Sequence, residues 1–233
     1  MPSLDRLQEQ IGLYFRDPRL LQSALMHRSF LHEHPDQGAG LIDNERLEFL
    51  GDAILNYLSA TLLFERYPER GEGGLTALRS ALVKTTTLAS FARAISLGTY
   101  IRLSKGEDQG GARARDGLLA DMFEALLAAV YLDGGIDAAT EFAGRFLEPQ
   151  LDQIEMNGLA LDYKSQLQQR IQAERNITPR YRVLAETGQD PRREYTIEVL
   201  AGDQQLGTGI GPSKQSAAQA AARSALERLA GGE

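Results

Sequence analysis

Two apolar runs constrain this chain more than any other feature. Leu47–Phe64 reads LEFLGDAILNYLSATLLF, and its only charges are Glu48 and Asp52. Leu118–Leu132 reads LLADMFEALLAAVYL, and its only charges are Asp121 and Glu124. The spacings are i, i+4 and i, i+3, so each pair shares one face of a helix. Like charges one turn apart repel, and an unpaired carboxylate taken out of water costs several kcal/mol even after relaxation. Two such pairs on two apolar helices require a common counter-charge, which a divalent cation held between the helices would supply. Four carboxylates without His or Cys suit a hard ion, Mg²⁺ or Mn²⁺ rather than Zn²⁺. Glu45 lies one turn before Glu48 and extends the row. On the pattern alone a second reading stays open: solvated helix faces, or carboxylates paired with basic residues elsewhere in the chain.

The remainder of the first 150 residues also carries helical periodicity. Apolar residues recur at intervals of three and four in 4–15, 17–32, 43–66, 73–97, 116–132 and 136–154. Breaks are expected at Pro18, His34-Pro35, Pro68, Gly71–Gly74, Gly106–Gly111 and Gly134-Gly135. The character changes at 154–160, IEMNGLA. Leu161–Arg175 reads as a helix, and Arg180–Glu186 and Arg193–Leu200 alternate apolar and polar residues as strands do. Leu206–Ile210 is a third candidate strand. Ser213–Leu229 is an Ala-rich helix with Ser213 as its N-cap, its Ala217–Ala225 stretch suited to close packing on the sheet. The expected architecture is an all-α N-terminal domain over 1–153, a linker over 154–160, and a small two-layer α+β domain, α-β-β-β-α, over 161–230.

Composition is compatible with two modest domains: 233 residues, 42% of them apolar. The absence of Cys excludes disulfides and thiolate metal sites and suits a reducing compartment. Residues 1–15 show no basic segment followed by an apolar one, so no signal peptide is expected. Glu48, Asp52 and Asn56 interrupt the longest apolar run, which argues against a membrane span; a cytoplasmic protein is expected. The net charge of −7 is unevenly spread: residues 1–155 hold 23 acidic and 15 basic residues, residues 156–233 hold 9 and 10. An acidic domain draws phosphate only when a cation sits on its carboxylates. His27, His32 and His34 are spaced for a metal but read as capping and packing residues. Gly71–Gly74 lacks the Gly-Lys-Ser/Thr of a phosphate loop and reads as a turn.

Asn44–Leu55, NERLEFLGDAIL, closely resembles the signature motif of the ribonuclease III family. Asp121–Asp133, DMFEALLAAVYLD, resembles that family's second acidic motif. Glu72–Val83, Leu97–Gly106 and Leu25–Phe30 (LMHRSF) resemble its intervening and early segments, in order, across residues 1–155. The resemblance implies an endonuclease for double-stranded RNA with a metal site of Glu48, Asp52, Asp121 and Glu124. Glu48, Asp121 and Glu124 would be ligands. Asp52, close to the metal and its water, would be needed for catalysis, and Glu124 would serve both roles. Glu45 would help shape the site. It further implies Mg²⁺, for which Mn²⁺ would substitute, no small-molecule cofactor, and a homodimer with two sites at opposite ends of one valley. Each site would cut one strand to leave a 5′-phosphate, a 3′-hydroxyl and a short 3′ overhang, as in the processing of ribosomal and other structured RNA precursors. Phe49 and its neighbours offer surface to bury against a twin, although core packing of Phe49 is also open. Lys84 and Ala128 depart from the family's usual Asn and Gly.

Asp162–Gln169 and Gly209–Ala222 resemble the first helix and the last loop and helix of a double-stranded RNA-binding domain. Such domains read the shape of the A-form minor groove rather than sequence. The resemblance implies RNA contacts from Ser165, Gln168 and Gln169, and from Ser213 and Lys214 at a helix N-terminus that attracts phosphate. Two departures stand out. Lys214 is followed by Gln215 rather than a second Lys, and the 188–191 loop lacks the family's His. Arg192 and Arg193 follow that loop and can compensate. Weak, strongly salt-dependent RNA binding by this domain alone is therefore expected. The main competing reading is a non-catalytic double-stranded RNA-binding protein on the same fold. An unrelated phosphohydrolase acting on small nucleotides would leave the second domain without a purpose.

Overall fold

A computed structural model describes residues 3–38, 40–41, 44–156, 163–188 and 193–230. The chain divides into two compact units, Met1–Gln150 and Leu151–Glu233, each taken by itself below.

The first unit is helical: α1 Leu4–Ile11, α2 Pro18–Ala24, α3 Arg28–Glu33, α4 Asn44–Arg66, α5 Glu72–Leu82, α6 Thr85–Ala94, α7 Lys105–Gln109 and α8 Asp116–Met156, with short 3₁₀ turns between. Local chemistry sets many of the ends. The Ser3 side chain caps α1, and Gly12, at φ 65, closes it in the left-handed conformation that glycine tolerates. Asp17 caps α2, with Pro18 at its first position.

Three expectations from the periodicity change. The 4–15 segment stops being helical at Ile11, and the Gln8 carboxamide accepts from the Phe15 N–H (2.9 Å) in the turn that follows. The 17–32 helix is two helices, because the Leu25–His27 backbone leaves the helix to pair with Arg102. Arg102 N–H donates to Leu25 C=O (2.8 Å), and His27 N–H donates to Arg102 C=O (3.1 Å). The 73–97 helix also splits, at Val83-Lys84, where Lys84 precedes the β-branched run Thr85–Thr87 and the Thr87 hydroxyl donates to Ala81 C=O. The last two predicted helices stay distinct within α8: Gly135, at φ 80, is non-helical and kinks the chain at the expected Gly134-Gly135 break. Of the expected glycine breaks, Gly71 is the N-cap of α5 while Gly73 and Gly74 lie inside it, and a short helix, α7, occupies the start of Gly106–Gly111.

The core joins α4 to α8. Leu47 packs with Ala24, Ala125, Ala128 and Ala129, so Ala128 fills a buried position. Phe123, Phe142 and Phe146 of α8 form an aromatic cluster with Phe91 of α6, with ring centroids 5.2–5.7 Å apart. The tightest approach is at Gly51, where an added Cβ would lie 1.9 Å from the Glu124 carbonyl oxygen. Only glycine lets the two backbones meet there. Helix α4 is long and apolar enough to cross a membrane, but Leu47, Ile54, Leu55, Leu58 and Leu63 on it are core residues of this unit.

In the second unit, α9 (Tyr163–Arg175) precedes β1 (Arg180–Thr187), β2 (Glu194–Ala201), β3 (Gln204–Gly211) and α10 (Lys214–Ala230). The sheet is antiparallel in the order β1-β2-β3, with irregularities at Val183/Ala185 and Val199/Leu200. The third strand is longer than the alternation suggests. Its glycines explain the Ala-rich partner: a Cβ on Gly209 would lie 2.1 Å from Ala221 N, and one on Gly207 2.6 Å from Ala225 N. Leu167 and Ile171 of α9, Ile197 and Val199 of β2 and the α10 alanines close the core. This is the expected α-β-β-β-α unit.

Candidate active site and RNA-binding surface

The close approach at Gly51 sets the acidic faces of α4 and α8 against each other. Glu48, Asp121 and Glu124 each place a carboxylate oxygen within 4.8 Å of the other two. All three are half-buried, and among the described residues no Lys or Arg pairs with them. Asp52, one turn beyond Glu48, is exposed and stands outside that trio. The Asn56 amide donates to its Oδ1 at 2.9 Å. Glu45 is drawn off to one side by an ion pair with Arg28 (2.9 Å).

The electrostatics record the cost of this gathering. Burial, then the charges of Asp52, Asp121 and Glu48, pushes the Glu124 carboxyl from 4.5 up to about 8. Burial and the neighbouring acids likewise raise Glu48. Burial raises Asp121, with His27 acting in the opposite direction. A carboxyl that keeps its proton near neutrality marks a site lacking positive charge. Three oxygen donors converging without a cationic partner fit a hard divalent cation, and the donor set lacks the N or S ligands that favour Zn²⁺.

His27, read from the sequence as a capping residue, has a defined tautomer. Its Nδ1 accepts from the Ser29 N–H (3.2 Å) and lies 2.8 Å from Ser29 Oγ, which itself accepts from the Ser104 N–H (3.0 Å). Ser29 Oγ therefore donates to Nδ1, and the ring proton rests on Nε2. Burial lowers the His27 pKa. His34 packs against Phe30 with the rings tilted and their centroids 4.6 Å apart. No histidine belongs to the acidic trio. Asn56 and His27 are the site neighbours that the pattern of acids did not single out. The available signal for Asn56 was a polar residue four positions after Asp52 in an apolar run.

In the second unit, Ser165, Gln168 and Gln169 share the exposed face of α9, opposite Leu167 and Ile171. Ser213 Oγ accepts from the Ser216 N–H (3.1 Å), which makes it the expected N-cap of α10. Lys214 is exposed, with its ammonium 5.6 Å above the Tyr195 ring. Arg193 pairs with Glu186 at 3.3 Å. Arg192 lies outside the described residues.

Comparison with known proteins agrees with both units. Residues 17–151 match the family described as Ribonuclease-III-like, and residues 163–229 match the Double-stranded RNA binding motif. A protein of Roseiflexus sp. (strain RS-1) named Ribonuclease 3 is 54% identical over 230 residues, 99% of this chain and 97% of the relative. Another so named, from Chloroflexus aggregans, is 44% identical over 96% of both chains. Among solved structures, a ribonuclease III nuclease domain from Campylobacter jejuni, flexible in a region involved in dimer formation, aligns with a TM-score of 0.58. It is 34% identical and covers 64% of this chain and 98% of its own. The fold and the acidic trio thus define a ribonuclease-III-type nuclease joined to a duplex-RNA-binding module. The chain belongs to the ribonuclease III family and is a double-stranded RNA-specific endoribonuclease.

Proposed function

We propose that this enzyme hydrolyses double-stranded RNA in a divalent-metal-dependent reaction that leaves 5′-phosphate and 3′-hydroxyl ends. The observation that carries the reading is the convergence of Glu48, Asp121 and Glu124 within 4.8 Å with no basic partner among the described residues. These three would hold Mg²⁺, or Mn²⁺ in its place. When bound, such an ion polarises a phosphate oxygen and makes water acidic enough to act as a nucleophile near neutral pH. Asp52, exposed and hydrogen-bonded beside the trio, is suited to orient the attacking water and take its proton. Glu124 serves as ligand and as part of the catalytic set, and Glu45, held by Arg28, shapes the edge of the site.

The catalytic domain spans residues 1–153, the linker 154–160 and the RNA-binding domain 161–230. In the latter, Ser165, Gln168 and Gln169 would face a minor groove, and Arg192, Arg193, Ser213 and Lys214 would meet phosphates. The enzyme works as a homodimer in the cytoplasm on structured RNA precursors. Support for the dimer comes from α4, where Phe49, Tyr57 and Phe64 are 81%, 59% and 72% exposed. An apolar row of that size calls for a partner, and a two-fold pair of sites would match a duplex.

End-group analysis tests the chemistry. Duplex digested with Mg²⁺ should carry 5′ ends that need dephosphorylation before kinase labelling, and 3′ ends that ligate directly. Fragments with 5′-hydroxyl and 2′,3′-cyclic phosphate ends would mean attack by the RNA's own 2′-hydroxyl and would overturn the reading.

A further inference from the structure

We propose that Asn56 is a positioning residue that holds the Asp52 carboxylate in place beside the acidic trio; the proposal rests on the metal-dependent reading above. Asn56 sits one turn after Asp52 on α4, and its Nδ2 lies 2.9 Å from Asp52 Oδ1 and 2.9 Å from the Asp52 carbonyl oxygen. The two amide hydrogens meet two acceptors, which fixes the orientation of the group. Turning it over would set its oxygen against both. The bond to the main-chain carbonyl alone would be ordinary helical back-bonding. The bond to the carboxylate is the one with consequences.

Asp52 needs a restraint. Its exposed carboxylate carries like charge toward Glu48 and Glu124, and such repulsion would favour side-chain orientations that swing it away from them. A donor one turn along the same helix opposes the swing and engages Oδ1, so that Oδ2 remains for the attacking water. Asn is also a poorer helix former than Ala or Leu in mid-helix, so local stability gives no reason for its place between Leu55 and Tyr57. A hydrogen-bond partner of a carboxylate beside a metal site acts on the rate through the group it holds.

The test uses the full chain with Asn56→Leu, which removes the donor at similar volume, and Asn56→Gln, whose carboxamide can still reach a carboxylate one turn away. Mn²⁺ binding is measured without RNA from the paramagnetic resonance of the free ion, and cleavage is measured in single turnovers on duplex RNA. The Leu variant should melt no lower than wild type and bind duplex and Mn²⁺ as tightly, yet lose about tenfold in cleavage rate; the Gln variant should recover most of it. A Leu variant with wild-type rate, or one whose loss of rate is matched by an equal loss of Mn²⁺ affinity, overturns the proposal. Should the Leu variant melt early, the Gln variant decides: normal values support the role, and losses as large as those of Leu overturn it. Wild type that neither binds Mn²⁺ nor cuts would instead overturn the metal-dependent reading itself.

Discussion

Replacing Glu124 by Gln should stabilise the metal-free protein at high pH while abolishing cleavage. Burial and three neighbouring acids move this carboxyl from 4.5 to about 8. A group whose folded pKa is raised supports the fold while it keeps its proton. That support is complete below about 4.5 and is lost as pH rises through about 8. Transferred whole, the displacement is worth about 5 kcal/mol; partial exposure of the carboxylate screens the charges and leaves about 2 kcal/mol. Gln matches the protonated acid in shape, so at pH 4, below the unfolded value, the variant and wild type should melt together in EDTA. At pH 9 the variant should melt higher, by about 4–8 °C for a unit of this size. Saturating Mg²⁺ should reverse the order, because binding to the native state stabilises wild type by about 2.7 kcal/mol at a hundredfold excess over Kd, and the variant lacks a ligand. The assay is thermal unfolding at both pH values, with and without metal. An equal offset at pH 4 and pH 9, or a variant less stable at pH 9, would refute the reasoning.

Other substitutions probe the packing that builds the two units. Gly51→Ala would force a Cβ onto the Glu124 backbone, so a loss of at least about 3 kcal/mol in thermal unfolding is expected, with cleavage lost as the two acidic faces separate. Gly209→Ala would press on Ala221 of α10; duplex affinity should collapse in a gel-shift titration while the helical unit keeps its melting transition. Phe49→Asp, on the exposed apolar row of α4, should shift the enzyme from dimer to monomer in light scattering. Binding by the isolated second unit should fall steeply with salt in a log–log titration, with a slope set by the phosphates its Lys and Arg neutralise. A flat response would mean that non-ionic contacts dominate.

The acidic residues were legible because a carboxylate in an apolar helix carries a cost that the sequence displays. Spacing gives the face of each helix, but the distance between faces depends on Gly51 meeting the Glu124 backbone, an inter-helix contact that no periodicity encodes. Spacing alone therefore yields four acids on two faces; the division into Glu48, Asp121 and Glu124 as ligands with Asp52 apart comes from the resemblance to the ribonuclease III motifs. The break at Leu25–His27 was hidden for a related reason: its cause is pairing with Arg102, far along the chain, which outcompetes local helical preference. In the second unit the alternation of β2 was plain because its inward residues Ile197, Val199 and Ala201 are buried. The length of β3 was obscured by glycines that serve α10 rather than the strand.

The most direct test of the account is cleavage of a long, perfectly paired RNA with and without Mg²⁺, by wild type and by Glu124→Gln. Wild type should reduce the RNA to short duplexes only when metal is present, and the variant should bind the same RNA and leave it whole. A wild-type protein that binds the duplex and never cuts in Mg²⁺ or Mn²⁺ would contradict the account and leave a binding protein on a nuclease fold.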